Sequence, residues 1–173
     1  MRAKPPEAFH LDRLRTPIGT ALLVSDAAGV LCAFDWEGYE PRMKKLLRLQ
    51  FGAVTLQEAP TPEQIKAALT DYFDGNLDRL KTINWRVAGT PFQQKVWSAL
   101  PTIPAGTTMS YGALATKLGM PNATRAVGHA NGANPLSVVV PCHRLIGANG
   151  SLIKYGGGLE RKRWLLKHEG VNL

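Results

Sequence analysis

Leu136-Ser137-Val138-Val139-Val140-Pro141-Cys142-His143-Arg144 decides how this chain is read, because an apolar, β-branched run delivers a thiol and an imidazole side by side. The valines predict a strand end or a tight extended segment that turns at Pro141. A Cys held there, with His143 beside it and Asn134 upstream, has the ingredients of an activated nucleophile. The plainer alternative is a small core cysteine next to a surface histidine, since Cys is among the most buried residue types.

Composition narrows the field around that stretch. A chain of 173 residues holds one ordinary domain or two small ones. Nothing in it approaches ~18 consecutive apolar residues, so no membrane span is expected. The start, Met1-Arg2-Ala3-Lys4-Pro5-Pro6, is charged but lacks the apolar segment of a signal peptide. Two cysteines, Cys32 and Cys142, make no disulfide framework and suit a reducing, cytoplasmic setting. A bond between them would consume the nucleophile. Neither has a second Cys at CxxC spacing, so no metal site is expected, and no cofactor is called for.

Charge is unevenly placed. Residues 1–89 hold 12 Lys/Arg against 11 Asp/Glu, a balance of +1, whereas residues 90–173 hold 9 against 2, a balance of +7. Only Glu160 and Glu169 are acidic in that second half. Such a field suits an anionic partner, nucleic acid before others, although a solvated basic face would look the same.

The pattern changes at the same point. Phe9–Leu14, Gly19–Ser25 and Val30–Trp36 read as strands joined by turns at Thr16-Pro17 and Ala27-Ala28-Gly29. Pro41 to Phe51 reads as a helix with Met43, Leu46, Leu47 and Gln50 at helical spacing. Thr61-Pro62-Glu63 reads as a cap opening a second helix to Phe73. The expectation is a small α/β domain over 1–89, structural in role, with Cys32 in its core. Residues 90–173 read as mostly helical, which makes the whole chain α+β. Thr90-Pro91 opens one helix, Ser110 caps another from Tyr111 to Leu118, and Asn122 caps a third from Ala123 to about Asn131.

The last two helices, joined by a turn containing Gly119, form a helix-turn-helix signal. The second of them carries Thr124, Arg125, Val127, Gly128, Ala130 and Asn131, with Ala126 among its small residues. It is too rich in small residues to read base edges in a major groove. Small residues permit close approach to a narrow groove, with Arg125 projecting as a wedge, which favours minor-groove contact and base extrusion. Close helix packing would also explain them.

Together the motifs Asn134-Pro135, Pro141-Cys142-His143-Arg144, Tyr155-Gly156-Gly157-Gly158-Leu159, Trp164-Leu165-Leu166 and His168-Glu169-Gly170 resemble the O6-alkylguanine-DNA alkyltransferases. Thr90-Pro91-Phe92-Gln93 and Ser110-Tyr111-Gly112 extend the likeness. It is dense over 90–173 and looser, though consistent in layout, over 1–89. The resemblance implies a ribonuclease H-like N-terminal domain and a winged-helix-like C-terminal one. It implies repair of double-stranded DNA by a monomer that moves an alkyl group from O6-alkylguanine, and from O4-alkylthymine, to its own cysteine.

Residue roles follow from the same resemblance. Cys142 matches the acceptor thiol. His143 would take its proton through a water, with Glu169 orienting the imidazole, and Asn134 would hold the Cys-bearing turn. Tyr111 would donate to the departing guanine. Arg125 would fill the gap left by the extruded nucleotide, with Thr124, Ala126, Gly128 and Ala130 on the DNA-facing helix. Leu145, Tyr155, Gly156 and Gly157 would contact the flipped base and wall the alkyl pocket. Lys154 and Gly156 depart from the usual loop residues, which leaves the range of alkyl groups open. Cys142 separates the chain from relatives that lack the cysteine and do not transfer, and a cysteine-rich zinc domain of the regulatory versions is not expected.

The chemistry requires these residue types. A free thiol, with pKa about 8.5, is mostly protonated at neutral pH, so a base must deprotonate it before it attacks an sp³ carbon. The thioether product resists water, so each molecule acts once. Two rivals remain: a Cys-His-Asn hydrolase using Cys142, Asn134 and His129 or His168, and a helix-turn-helix regulator with a structural Cys142.

Overall fold

The computed structural model describes residues 5–173; residues 1–4, part of the start read above as lacking a leader, lie outside the described residues. The three expected strands form as β1 (Glu7–Thr16), β2 (Gly19–Asp26) and β3 (Leu31–Trp36), joined as antiparallel neighbours. Helix α1 (Glu40–Phe51) then crosses over to β4 (Val54–Glu58), which pairs parallel to β1 and completes a sheet of order β3-β2-β1-β4. β4 escaped the sequence reading because it is short, half-solvated and interrupted by Thr55, Gln57 and Glu58.

Every residue of β3 and the last six of β2 are buried, because both faces of the sheet are covered. On one face Met43 and Leu47 of α1 pack on Phe9, Leu22, Val24, Cys32 and Ala33. Fully burying side chains of this size stabilises by about 1.5–3 kcal/mol each. On the other face Ala21, Leu23, Leu31, Phe34 and Trp36 meet α2 (Glu63–Phe73), and the same apolar cluster runs on into the second half through Trp97, Leu100, Val140 and Leu165. α2 opens at Pro62 without a side-chain cap, and the Thr61 hydroxyl is buried with no partner among the described residues, so the expected cap at Thr61 does not form.

The second half is mostly helical, as its pattern suggests. α3 (Pro91–Ala99) opens with a reciprocal cap: Thr90 accepts from the Gln93 backbone N–H and the Gln93 side chain from that of Thr90. α4 (Tyr111–Lys117) starts at Ser110, whose hydroxyl accepts from Ala113, and stops at Gly119, with φ 75°. α5 (Thr124–Gly132) begins at Ala123 rather than Asn122, and no side chain caps it. Helix α6 (Leu159–His168) closes the chain. A two-stranded parallel pair, β5 (Met109–Ser110) and β6 (Leu145–Ile146), ties the start of α4 to the segment just past the cysteine.

Leu136–Val140 is a strand end at its first residue alone, and the extended segment expected after it does not form. Only Leu136 bridges to the free edge of β3, with Phe34 N–H donating to Pro135 O at 2.9 Å and Ser137 N–H to Phe34 O at 3.1 Å. Beyond it the chain coils: Val139 N–H turns back to Ser137 O and Val140 N–H to Leu136 O. Val138 sits at φ 70°, a strained conformation for a β-branched residue. The valines are buried by coiling, not by pairing. The sheet edge is thus covered, and it anchors the segment that leads to Cys142.

Candidate active site

Asn134 builds the turn that carries the cysteine. Its Nδ2 donates to Val140 O at 2.8 Å and Leu136 O at 3.3 Å, while its Oδ1 accepts from Leu136 N–H at 3.0 Å. A short 3₁₀ turn follows over Cys142–Arg144, and all three of its residues are buried. Cys142 is 6% exposed and His143 not exposed at all, so neither is a surface group.

Glu169 gathers the polar groups behind the cysteine. His143 Nε2 lies 3.0 Å from Glu169 Oε2, Arg144 donates through Nε at 2.8 Å and Nη2 at 2.9 Å, and the Tyr72 hydroxyl donates at 2.6 Å. Burial works against a charge on Glu169, but His143 and Arg144 outweigh it and hold the carboxyl well below the usual carboxylate range. A carboxylate can only accept, so Nε2 carries the hydrogen and a neutral imidazole offers Nδ1 as the acceptor. Nδ1 is buried and has no partner among the described residues. That is the nitrogen left to take a proton, directly or through one water.

The thiol needs such help. Burial pushes the Cys142 thiol up, only partly opposed by Asn134 and by the positive charge of Lys162. Lys162 is completely buried, with Nζ donating to Leu145 O at 2.6 Å and Lys154 O at 3.0 Å. Burial lowers its pKa to about 8, with Cys142 pulling the other way. No carboxylate pairs with it among the described residues; its anionic neighbour would be the thiolate itself. Tyr111, half-buried at the start of α4, has its hydroxyl pKa raised by burial and by Cys142. Lys162 Nζ stands 5.9 Å from the Tyr111 ring centre.

The loop after the cysteine packs against the N-terminal half. Tyr155 lies near Cys142, and its buried hydroxyl has no hydrogen-bond partner among the described residues. A Cβ on Gly157 would strike the Trp36 indole, and one on Gly156 the Arg42 guanidinium, so both glycines permit close approach of the N-terminal half. Arg42 of α1 donates to Gly156 O and pairs with Asp35, while Arg161 stacks on Trp36 and donates to Gly157 O at 2.9 Å. Leu145 is fully buried beside the turn.

On α5 the candidate DNA-facing residues divide. Thr124, Arg125 and Ala126 are exposed, Gly128 packs toward Tyr111, and Ala130 turns inward, 3% exposed, with its carbonyl accepting from Trp97 Nε1 at 2.8 Å. Ala130 therefore packs α5 onto α3 and does not lie on the outer face. The structure brings Cys142, His143, Glu169, Asn134, Tyr111 and Tyr155 into one cluster. It adds Arg144, Lys162 and Tyr72, to which the sequence assigned no role. Arg144 lay within the motif; Lys162 looked like one more cation on a basic helix, and Tyr72 gave no signal.

Known proteins resemble this chain in sequence and fold. The family described as 6-O-methylguanine DNA methyltransferase, DNA binding domain, matches residues 91–171. A methylated-DNA–protein-cysteine methyltransferase from Salmonella typhimurium is 48% identical over 164 residues, covering 94% of this chain and 96% of its own. One from Haemophilus influenzae is 37% identical, covering 95% and 88%. Among solved structures, Mycobacterium tuberculosis OGT in complex with DNA superposes with a TM-score of 0.77 at 38% identity, over 94% of this chain and 92% of that one. Fold and sequence thus define a DNA-repair methyltransferase of mixed α and β structure. The chain belongs to the methylated-DNA–protein-cysteine methyltransferase family, which repairs alkylated DNA by alkyl transfer.

Proposed function

We propose that this protein removes methyl and other alkyl groups from O6-alkylguanine, and from O4-alkylthymine, in double-stranded DNA by transferring them to Cys142. The observation that carries the assignment is the Cys142–His143–Glu169 cluster, in which a buried thiol adjoins an imidazole whose second nitrogen is held by an ionised carboxylate. His143 Nδ1 accepts the thiol proton through a water; the sulfur then attacks the alkyl carbon as its bond to O6 breaks. Tyr111 donates to the leaving base, so the charge developing on guanine is not left bare in a desolvated pocket. Leu145, Tyr155, Gly156 and Gly157 wall the base and alkyl group. The thioether is not hydrolysed, so the protein is spent after one turnover.

Exposed Arg125, flanked by Thr124 and Ala126 on a helix of small residues, supports entry of α5 into the minor groove with Arg125 replacing the extruded nucleotide. The chain is read as a monomer of two units, a ribonuclease H-like 1–89 and a winged-helix-like 90–173. Intact mass after incubation with a duplex containing O6-methylguanine tests the assignment. The mass should rise by one methyl group in the wild type and not in Cys142→Ala. An unchanged wild-type mass, or a modified Cys142→Ala, would overturn it.

A further inference from the structure

His143 Nδ1, the Tyr155 hydroxyl and Asn131 Oδ1 are buried polar atoms with no hydrogen-bond partner among the described residues. The first is the base of the relay, and the second belongs to the loop proposed to wall the substrate. The third has no part in the reaction described so far. Buried polar groups are almost always paired, so an empty acceptor beside a reacting centre calls for a donor.

Asn131 lies on the buried side of α5 with Val127 and Ala130, and is 8% exposed. Its Nδ2 donates to the main-chain carbonyl of Cys142 at 3.3 Å. That carbonyl can only accept, so Oδ1 is the end of the amide left over. One turn earlier on the same face is Gly128, where a Cβ would stand 3.9 Å from Cδ1 of Tyr111. This face of α5 therefore runs from the Tyr111 ring to the Cys142 turn. Those are the two groups between which the reacting base must lie.

The chemistry of the base names the donor. Alkylation at O6 removes the N1 hydrogen of guanine, and in DNA the sugar takes N9, so the exocyclic 2-amine alone still carries N–H groups. O4-alkylthymine has no amine and no ring N–H. We propose that Asn131 is a specificity-determining residue: its Oδ1 accepts from the 2-amine of the extruded guanine while its Nδ2 stays on the Cys142 carbonyl. The proposal rests on the alkyl-transfer reading and deepens it. A fixed acceptor favours O6-alkylguanine over O4-alkylthymine, which would leave Oδ1 buried and unpaired.

Two free purines test it with the full chain, so that DNA binding does not enter: O6-benzylguanine, and 6-benzyloxypurine, which differs only in lacking the 2-amine. Transfer of the benzyl group is followed by intact mass. The wild type should react about fivefold to tenfold faster with the guanine, the effect of one hydrogen bond. Asn131→Leu is close in size and has no acceptor; it should shrink that ratio by about threefold or more. A merely structural role would slow both purines alike, and an unchanged ratio would sink the proposal. A wild type that does not distinguish the two purines would sink it as well. Asn131→Ala repeats the comparison should the leucine protein not fold. Failure of the underlying reading looks different: the wild type would gain no benzyl group from either purine.

Discussion

Cys32 and Cys142 are both buried thiols in apolar clusters, and they have little else in common. Burial drives Cys32 up to about 11 despite nearby Arg86, and its sulfur donates to the Val30 carbonyl, 3.4 Å away. Cys142 is also pushed up by burial, but it adjoins an imidazole with a free nitrogen, a buried ammonium and a phenol. The sulfur does not make the nucleophile. Its neighbours do, and all three come from the second half of the chain.

The largest expected effect sharpens that contrast at the sulfurs themselves. Cys142→Ala should abolish transfer while leaving duplex binding in a shift assay largely intact. Cys32→Ala should leave the transfer rate within about twofold and lower stability by about 1 kcal/mol, the usual scale for a single substitution. Loss of transfer in Cys32→Ala would break the comparison.

Next comes the group behind the imidazole. Glu169→Gln should slow transfer by a factor on the order of 10² or more, the scale of one acid–base element. It should also destabilise by about 3–5 kcal/mol, because Arg144 keeps its burial and loses its ionic partner. The sign with pH is fixed. The folded-state pKa of Glu169 is depressed, so its contribution is fully present above the unfolded value of about 4.3 and is lost as pH falls toward the folded one. Denaturant melts should therefore show the gap between wild type and Glu169→Gln narrowing below about pH 4. A constant gap would deny the ion pair its role.

Removing the base itself should turn the raised thiol of Cys142 into a visible pH dependence. With His143→Gln, transfer to free O6-benzylguanine should be slow at neutral pH. It should climb as pH rises into and beyond the ordinary thiol range near about 8.5, where hydroxide does the work of the imidazole. A rate in His143→Gln that matches the wild type at pH 7 would show that Cys142 needs no base.

Base extrusion should separate from chemistry at Arg125. Arg125→Ala should slow repair of a paired duplex by the equivalent of a few kcal/mol while sparing free O6-benzylguanine, which needs no extrusion. A change confined to stability is expected at Tyr72→Phe, which removes one hydrogen bond to a charged acceptor and should cost about 1.5–3 kcal/mol. If that substitution also slows transfer, the N-terminal half contributes to the relay.

The sequence was most legible where chemistry and local pattern coincide. Short runs bounded by turns marked β1 to β3, and the hydroxyls of Thr90 and Ser110 marked the starts of α3 and α4 as they stand. The cysteine stretch and Asn134 were visible as motif. The valines before Cys142 misled, because β-branched residues signal a strand only when backbone partners exist, and here the Asn134 side chain takes the carbonyls of Leu136 and Val140. Asn122 and Thr61 have capping chemistry, but neither caps its helix. Tyr72 was beyond reach: 97 residues separate it from Glu169, and only the packing of α2 against the second half brings their side chains together.

Peptide mapping of the wild-type protein after one reaction with an O6-methylguanine duplex tests the central claim most directly. The added methyl should lie on the peptide containing Cys142, with the Cys32 peptide unmodified. A methyl group on Cys32, or spread over both cysteines, would contradict the account.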